Sequence, residues 1–331
     1  MIKSNKELNK DEYLWPLSAR ISDADFLNKL SQDLQPIFDR IIIDEKLGNA
    51  ISPQFSRLYL PFADWLAQKH NDKTIVIGIN GAQGSGKSTL TKILKNLLSL
   101  AFNKSVIELS IDDLYLSRQR REELAKNVHP LLKTRGVPGT HDIEYANKIF
   151  SALLAQSSGV ITKIPVFDKT VDDLLPEQEW LTVNNNVDII LFEGWCVGSQ
   201  AQQSHQLESA VNELEENEDA DLIWRTYINQ QLKENYQDLF KYIDYQVMLK
   251  VPDMDSVFEW RSLQEEKLAV SYVKNNSSAK HIMSEKELTR FIMHYERITR
   301  STLEEMPQRA DVVLHLDNNH QVSDVDIKDI K

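Results

Sequence analysis

Gly81-Ala82-Gln83-Gly84-Ser85-Gly86-Lys87-Ser88, followed by Thr89, satisfies the spacing G-x-x-x-x-G-K-[ST]. Glycines at these positions let successive backbone N–H groups turn inward around phosphate oxygens, and a helix opening at the lysine adds the positive end of its dipole. Lys87 then reaches the β and γ phosphates as a mobile point charge, and the Ser88 hydroxyl faces Mg²⁺. A glycine turn that fits by chance lacks the hydrophobic strand before it and the helix-forming stretch after it, and both are present here. The expected ligands are ATP and Mg²⁺.

Phosphoryl transfer also needs carboxylates, for the metal and for the attacking hydroxyl. Two apolar runs end in acids: Val106 to Ile111 leads into Asp112-Asp113, and Val187 to Phe192 leads into Glu193. If both strands run parallel beside the phosphate-loop strand, both acids emerge at the carboxyl edge of the sheet, where open α/β sheets bind ligands. Asp112 suits the general base and Glu193 the Mg²⁺ shell, while Asp113 stays a rival for the base. Either acid taken singly also reads as an ordinary cap or turn residue.

An anionic acceptor needs cations in a chain that is acidic overall. Arg135, His141 and Lys169 lie nearest the motifs, although each also reads as an ordinary surface or helix-terminal residue. Asp142 has a plain alternative as the cap of a helix starting at Ile143. Arg261 and Gln264 fall one turn apart on a charged helix, where an arginine either neutralises charge on the transferred phosphate or pairs at the surface. Tyr295, Arg297 and Arg300 form a further basic and aromatic cluster of the kind amphipathic helices carry routinely. Cys196 reads as a small buried residue beside a strand end.

The elements that must position these groups follow from apolar spacing. Residues 1–70 read as a helical N-terminal region, with Leu27, Leu30, Leu34 and Phe38 at helical intervals. Residues 71–331 read as an α/β domain with a mostly parallel sheet flanked by helices, its strands expected at 74–80, 106–111, 160–164, 187–192, 245–251 and 312–316. Within it, 208–221 is strongly acidic and reads as an exposed, partly mobile loop, followed by one helix from about 221 to 240. A lid-like helical segment is expected near 254–306. The chain has 331 residues and a net charge of −12, which excludes a generally basic nucleic-acid coat. One cysteine excludes a disulfide framework. No apolar run suggests a signal-peptide core or a membrane span, so a cytoplasmic protein without nucleic-acid or membrane partners is expected.

Taken in order, GAQGSGKST, SIDDLYLS at 110–117, RGVPGTHD at 135–142, IPVFDK at 164–169, LFEGWCVG at 191–198 and WRSLQEE at 260–266 resemble the D-glycerate 3-kinase family. That family belongs to the wider group of P-loop kinases containing uridine kinase, pantothenate kinase and phosphoribulokinase. The resemblance implies that Asp112 is the base. It also implies that Arg135, His141 and Asp142 line the acceptor pocket, with Asp168 and Lys169 beside them. Asp113 and Tyr115, in the segment of Asp112, join the acceptor side. Where plant members commonly read R-G-N-A-G, this chain has Arg135-Gly136-Val137-Pro138-Gly139. The expected reaction is ATP-dependent phosphorylation of a hydroxyl of D-glycerate. Two alternatives stay open: a P-loop kinase of another small hydroxyl compound such as a nucleoside or a pantothenate-like acid, and a non-catalytic nucleotide switch.

Overall fold

Ile75–Gly81 (β1) is buried along its whole length, as a strand covered on both faces must be. Its side chains divide alternately between two cores: Ile75, Ile77 and Ile79 face one, and Val76 the other. Ile189–Gly194 (β3) divides the same way, with Ile189 and Leu191 on the first side and Ile190 and Phe192 on the second. The computed structural model describes residues 13–19, 22–44, 48–155, 160–183, 186–274 and 283–328.

With Val106–Ser110 (β2), Tyr245–Lys250 (β4), Val312–Leu316 (β5) and Val322–Ile327 (β6), the sheet runs in the order β6-β5-β4-β1-β3-β2. All neighbours are parallel except β6, which returns antiparallel along β5 as a strand the apolar pattern did not announce. The register sets Glu193 beside Ile79 on one side and Ser110 on the other. The carboxyl ends of β1, β2 and β3 therefore meet.

On the first face lie helices Ala24–Asp44 (α1), Leu60–Lys69 (α2) and Lys87–Phe102 (α3). The aromatics of the N-terminal region share this core with the sheet, with Phe38 stacked on Phe55 at 4.3 Å and Trp15 on Phe62 at 4.7 Å. Arg118–Asn127 (α4) follows β2. The second face is covered from Ile143–Leu154 (α5), Ile223–Lys233 (α7), Asn235–Phe240 (α8) and Glu285–Glu305 (α10), with Glu213–Glu218 (α6) beside them. Met254–Lys274 (α9) crosses near the phosphate loop. The expected lid-like segment thus comprises α9 and α10, and their connection at 275–282 lies outside the described residues.

Three expectations need correction. The run at 160–164 does not join the main sheet: Thr162–Ile164 pairs antiparallel with Leu181–Val183 in a separate two-stranded sheet. The segment 221–240 forms two helices, α7 and α8, rather than one. The acidic stretch 208–221 is not an exposed loop throughout, because it contains α6, and Glu215 within it is fully buried. Arg297 meets Glu215 through Nε at 2.6 Å and Nη2 at 2.5 Å, while Asp219 accepts from the backbone N–H groups of Trp224 and Arg225. A buried carboxylate stays charged only when paired and hydrogen-bonded, and its partner here lies 82 positions away, beyond the reach of composition. Arg297 is accordingly a structural residue.

Candidate active site

The phosphate loop links β1 to α3. Gly84 and Gly86 hold φ of +82° and +89°, a region that side-chain-bearing residues rarely adopt. A Cβ on Gly84 would also lie 2.9 Å from Cβ of Trp260 on α9, so this loop and that helix approach closely only because the position is glycine. The Ser85 hydroxyl is buried within the loop with no hydrogen-bond partner among the described residues. Lys87 Nζ folds back to donate to the Ala82 carbonyl at 3.0 Å. Burial pushes the Lys87 ammonium below its ordinary pKa, opposed by Glu193 and Asp112.

Glu193, carried to the sheet edge by β3, accepts a hydrogen bond from Ser88 Oγ at 3.2 Å. Burial raises its carboxyl above the usual range, and Lys87 works against that rise. A hydroxyl and a carboxylate this close form a hard-oxygen pair that fits Mg²⁺, an ion that takes its remaining ligands from phosphates and water. Asp112 stands in the turn Ile111–Leu114 that ends β2, where the Ser110 hydroxyl accepts from its N–H. Its Oδ1 accepts from Tyr115 Oη at 2.5 Å and its Oδ2 from Lys169 Nζ at 2.6 Å. Burial alone would raise this carboxyl, but Lys169 and Tyr115 bring it below the ordinary range. Asp113 differs: one oxygen accepts from the Phe167 N–H at 3.2 Å, and burial lifts its pKa to about 6.

Lys169 sits on a short hairpin whose strands are Phe167–Asp168 and Asp173–Leu174. Asp172 of that hairpin pairs with Arg135 and, at 3.0 Å, with the buried Arg121. Phe167 lies under the Arg135 guanidinium at 5.5 Å.

A cleft of about 640 Å³ gathers these groups. At one end stand Gly84, Lys87, Ser88 and Glu193, and at the other Asp112, Asp113, Tyr115, Arg135 and Lys169. Arg261 and Gln264 of α9 reach it as well. Arg261 pairs with Glu265 at 2.5 Å over the Phe291 ring. An adjoining hollow of about 410 Å³ lies against the phosphate loop at Gly84, Ser85, Gly86 and Thr89. It is walled by Leu249, Leu316 and the Trp260–His320 pair, whose rings are 4.0 Å apart.

Three expected acceptor residues stand elsewhere. The His141 side chain is buried against Tyr236, its Nδ1 2.5 Å from the phenol oxygen, and burial lowers its pKa to about 4. Asp142 caps α5 by accepting from the Tyr145 N–H and pairs with Arg120. Asp168 accepts from the N–H and hydroxyl of Thr170, holding the hairpin turn. Conversely, Trp195 and Phe291 line the cleft without having been singled out for it, and Tyr295, read from the sequence as a routine amphipathic-helix residue, lines it too. Tyr295 Oη donates to the Arg135 carbonyl at 2.8 Å. Phe291 and Tyr295 are one helical turn apart, a spacing that marks a buried face without saying what it faces.

The parallel order around β1, the phosphate loop and the acidic strand ends define a P-loop phosphotransferase. The family described as the KAP family P-loop domain matches residues 55–245. An uncharacterized kinase, mug58, of Schizosaccharomyces pombe is 34% identical over 235 residues, covering 69% of this chain and 80% of the relative. The chloroplastic D-glycerate 3-kinase of Arabidopsis thaliana is 29% identical over 264 residues, covering 73% of this chain and 54% of the relative. A solved D-glycerate 3-kinase from Cryptococcus neoformans superposes with a TM-score of 0.67 at 21% identity, over 85% of this chain and 100% of that one. The chain belongs to this P-loop domain family, and its relatives among the P-loop kinases include D-glycerate 3-kinase. It is a kinase. No helix among the described residues is long and apolar enough to cross a membrane.

Proposed function

We propose that this kinase transfers the γ-phosphoryl group of ATP to a hydroxyl of a small anionic hydroxy acid, with D-glycerate the acceptor. One observation carries the reading: a single cleft has a phosphate cradle with an oxygen pair at one end and a carboxylate flanked by cations at the other. A nucleotide switch needs only the first end. The D-glycerate 3-kinases among the relatives support the choice of acceptor.

In this reading the phosphate loop, Gly81 to Thr89, cradles the triphosphate, and Lys87 neutralises charge on its β and γ groups. The base lies in the hollow walled by Trp260 and His320, where ring stacking holds any purine. Ser88 and Glu193 would hold Mg²⁺, which would supply neutralisation of the phosphate charge. Arg135 and Lys169 take the acceptor's carboxylate, so Lys169 turns from Asp112 toward the substrate as the acceptor arrives. Asp112, ionised at neutral pH, then accepts the hydroxyl proton. Arg261 swings from Glu265 to the transferring group, where its charge acts on the transition state. Asp113 and Tyr115 hold the loop of Asp112 rather than the substrate. The protein works in a reducing, cytoplasmic setting, which its lone buried thiol, Cys196, suits.

The test is a panel of small hydroxy acids, nucleosides and pantothenate incubated with Mg·ATP, with each product identified by mass. D-glycerate should outpace the rest by kcat/KM. Preferred turnover of a nucleoside, or ATP consumption unchanged by every acceptor, would reject the reading.

A further inference from the structure

At its acceptor end the central cleft opens into a second hollow of about 720 Å³, with which it shares Arg135, Lys169, Arg261 and Phe291. The hollow at Trp260 and His320 shares Gly84 and Gln264 instead. The acceptor and nucleotide ends therefore have separate surroundings.

The larger hollow is cationic. Arg118, Lys133 and Arg290 join Arg135, Lys169 and Arg261 in its lining, against the carboxylates of Asp172 and Glu287. Of these two, Asp172 is already engaged by Arg121 and Arg135. Glu122 pairs with Arg118 at 3.4 Å, Glu218 pairs with Arg290, and Glu265 pairs with Arg261 at 2.5 Å. None of these three counterions is part of the lining, whereas the cations they pair with are. Lys133 is exposed at the end of a short turn, Pro130–Lys133, and has no ion-pair partner among the described residues. Its backbone is anchored by Arg121, whose Nη1 donates to the Lys133 carbonyl at 2.9 Å.

A chain with a net charge of −12 repels small anions over most of its surface. Low-dielectric walls lined by one sign of charge focus the field and raise the local concentration of the opposite ion. We propose that this hollow is the approach path and capture site for the acceptor, and that Lys133 and Arg118 at its outer wall select small anions before Arg135 and Lys169 orient them. The proposal rests on the anionic-acceptor reading above and adds the route and the residues that set the capture rate.

Lys133→Glu and Arg118→Glu test it, with Lys133→Gln as the milder control. All three change exposed side chains outside the phosphate-transfer machinery. With saturating Mg·ATP at about 20 mM ionic strength, kcat/KM for D-glycerate should fall roughly two- to fivefold in each reversal and less in Lys133→Gln. The difference should close at about 0.5 M salt, where the screening length shrinks to about 4 Å. kcat should stay at the wild-type value. An unchanged kcat/KM, a loss that salt does not abolish, or a fall in kcat would overturn the proposal. Inorganic phosphate, titrated calorimetrically into protein loaded with a non-hydrolysable Mg·ATP analogue, reads the same hollow without turnover. Weaker, salt-sensitive binding in Lys133→Glu supports the site even if D-glycerate is no substrate. Equal binding in both proteins rejects it even if D-glycerate is one.

Discussion

Asp112→Asn preserves the shape of the side chain and its contact with Tyr115 while removing the negative charge and the proton acceptor. Two effects follow, and their sizes differ. The ion pair with Lys169 spans 2.6 Å, but its side chains are 58% and 29% exposed, so its loss costs at most about 1 kcal/mol, equivalent to less than tenfold. Loss of a general base removes roughly a hundred- to ten-thousandfold, or about 3–5 kcal/mol of transition-state stabilisation. A coupled assay of D-glycerate phosphorylation should therefore show the variant's kcat reduced by at least about a hundredfold, with KM for ATP little changed. The pH profile sharpens the assignment. A base loses activity as pH falls through its own pKa, and Asp112 is held below the ordinary carboxylate range before the acceptor binds, so wild-type kcat/KM for the acceptor should stay flat from pH 8 down to about 5. Asp113, raised to about 6, would impose an acid limb there if it were the base. A loss smaller than tenfold, rescue by excess Mg²⁺, a larger defect in Asp113→Asn, or an acid limb near pH 6 that Asp113→Asn abolishes would refute the assignment.

Lys87→Ala should nearly abolish turnover, while its thermal midpoint stays close to that of the wild type, since among the described residues the Lys87 ammonium donates only to the exchangeable Ala82 carbonyl. A collapsed midpoint would mark Lys87 as structural. Arg135→Ala should chiefly raise KM for the acceptor, and Arg261→Ala should chiefly lower kcat, because the first acts in ground and transition states alike and the second on charge that develops during transfer; matching profiles would reject that division. The raised pKa of Asp113 also has a stability consequence. Between about pH 4 and 6 the folded state binds the proton more tightly than the unfolded chain, so stability falls as pH rises through that window and the full penalty persists above it. Asp113→Asn keeps an acceptor for the Phe167 N–H and should melt higher than the wild type at pH 7.5 but not at pH 4. Equal midpoints at both pH values would contradict the burial of this carboxyl.

What the sequence determined by itself is the part of the protein written in neighbouring residues. The phosphate loop was legible because left-handed glycines, a following lysine and a flanking apolar strand are requirements of the local backbone. The apolar runs leading into Asp112 and Glu193 placed both acids at strand ends for the same reason: β3 is buried along its whole length, and the edge strand β2, although interrupted by Glu108, keeps Val106 and Leu109 buried. Asp142 as a helix cap was likewise readable from its place before Ile143.

Tertiary structure decided what depends on residues distant in the chain. Only the sheet order brings Glu193 beside Ser110, and only the hairpin at 167–174 brings Lys169 onto Asp112 and Asp172 onto Arg135. His141 left the acceptor side because Tyr236, 95 positions away, offers a partner inside the core. Glu215 left the solvent because Arg297 folds over it. Spacing records the steric preferences of a few consecutive residues, whereas a buried charge or a cleft wall is settled by whichever distant side chain the packed chain delivers to it.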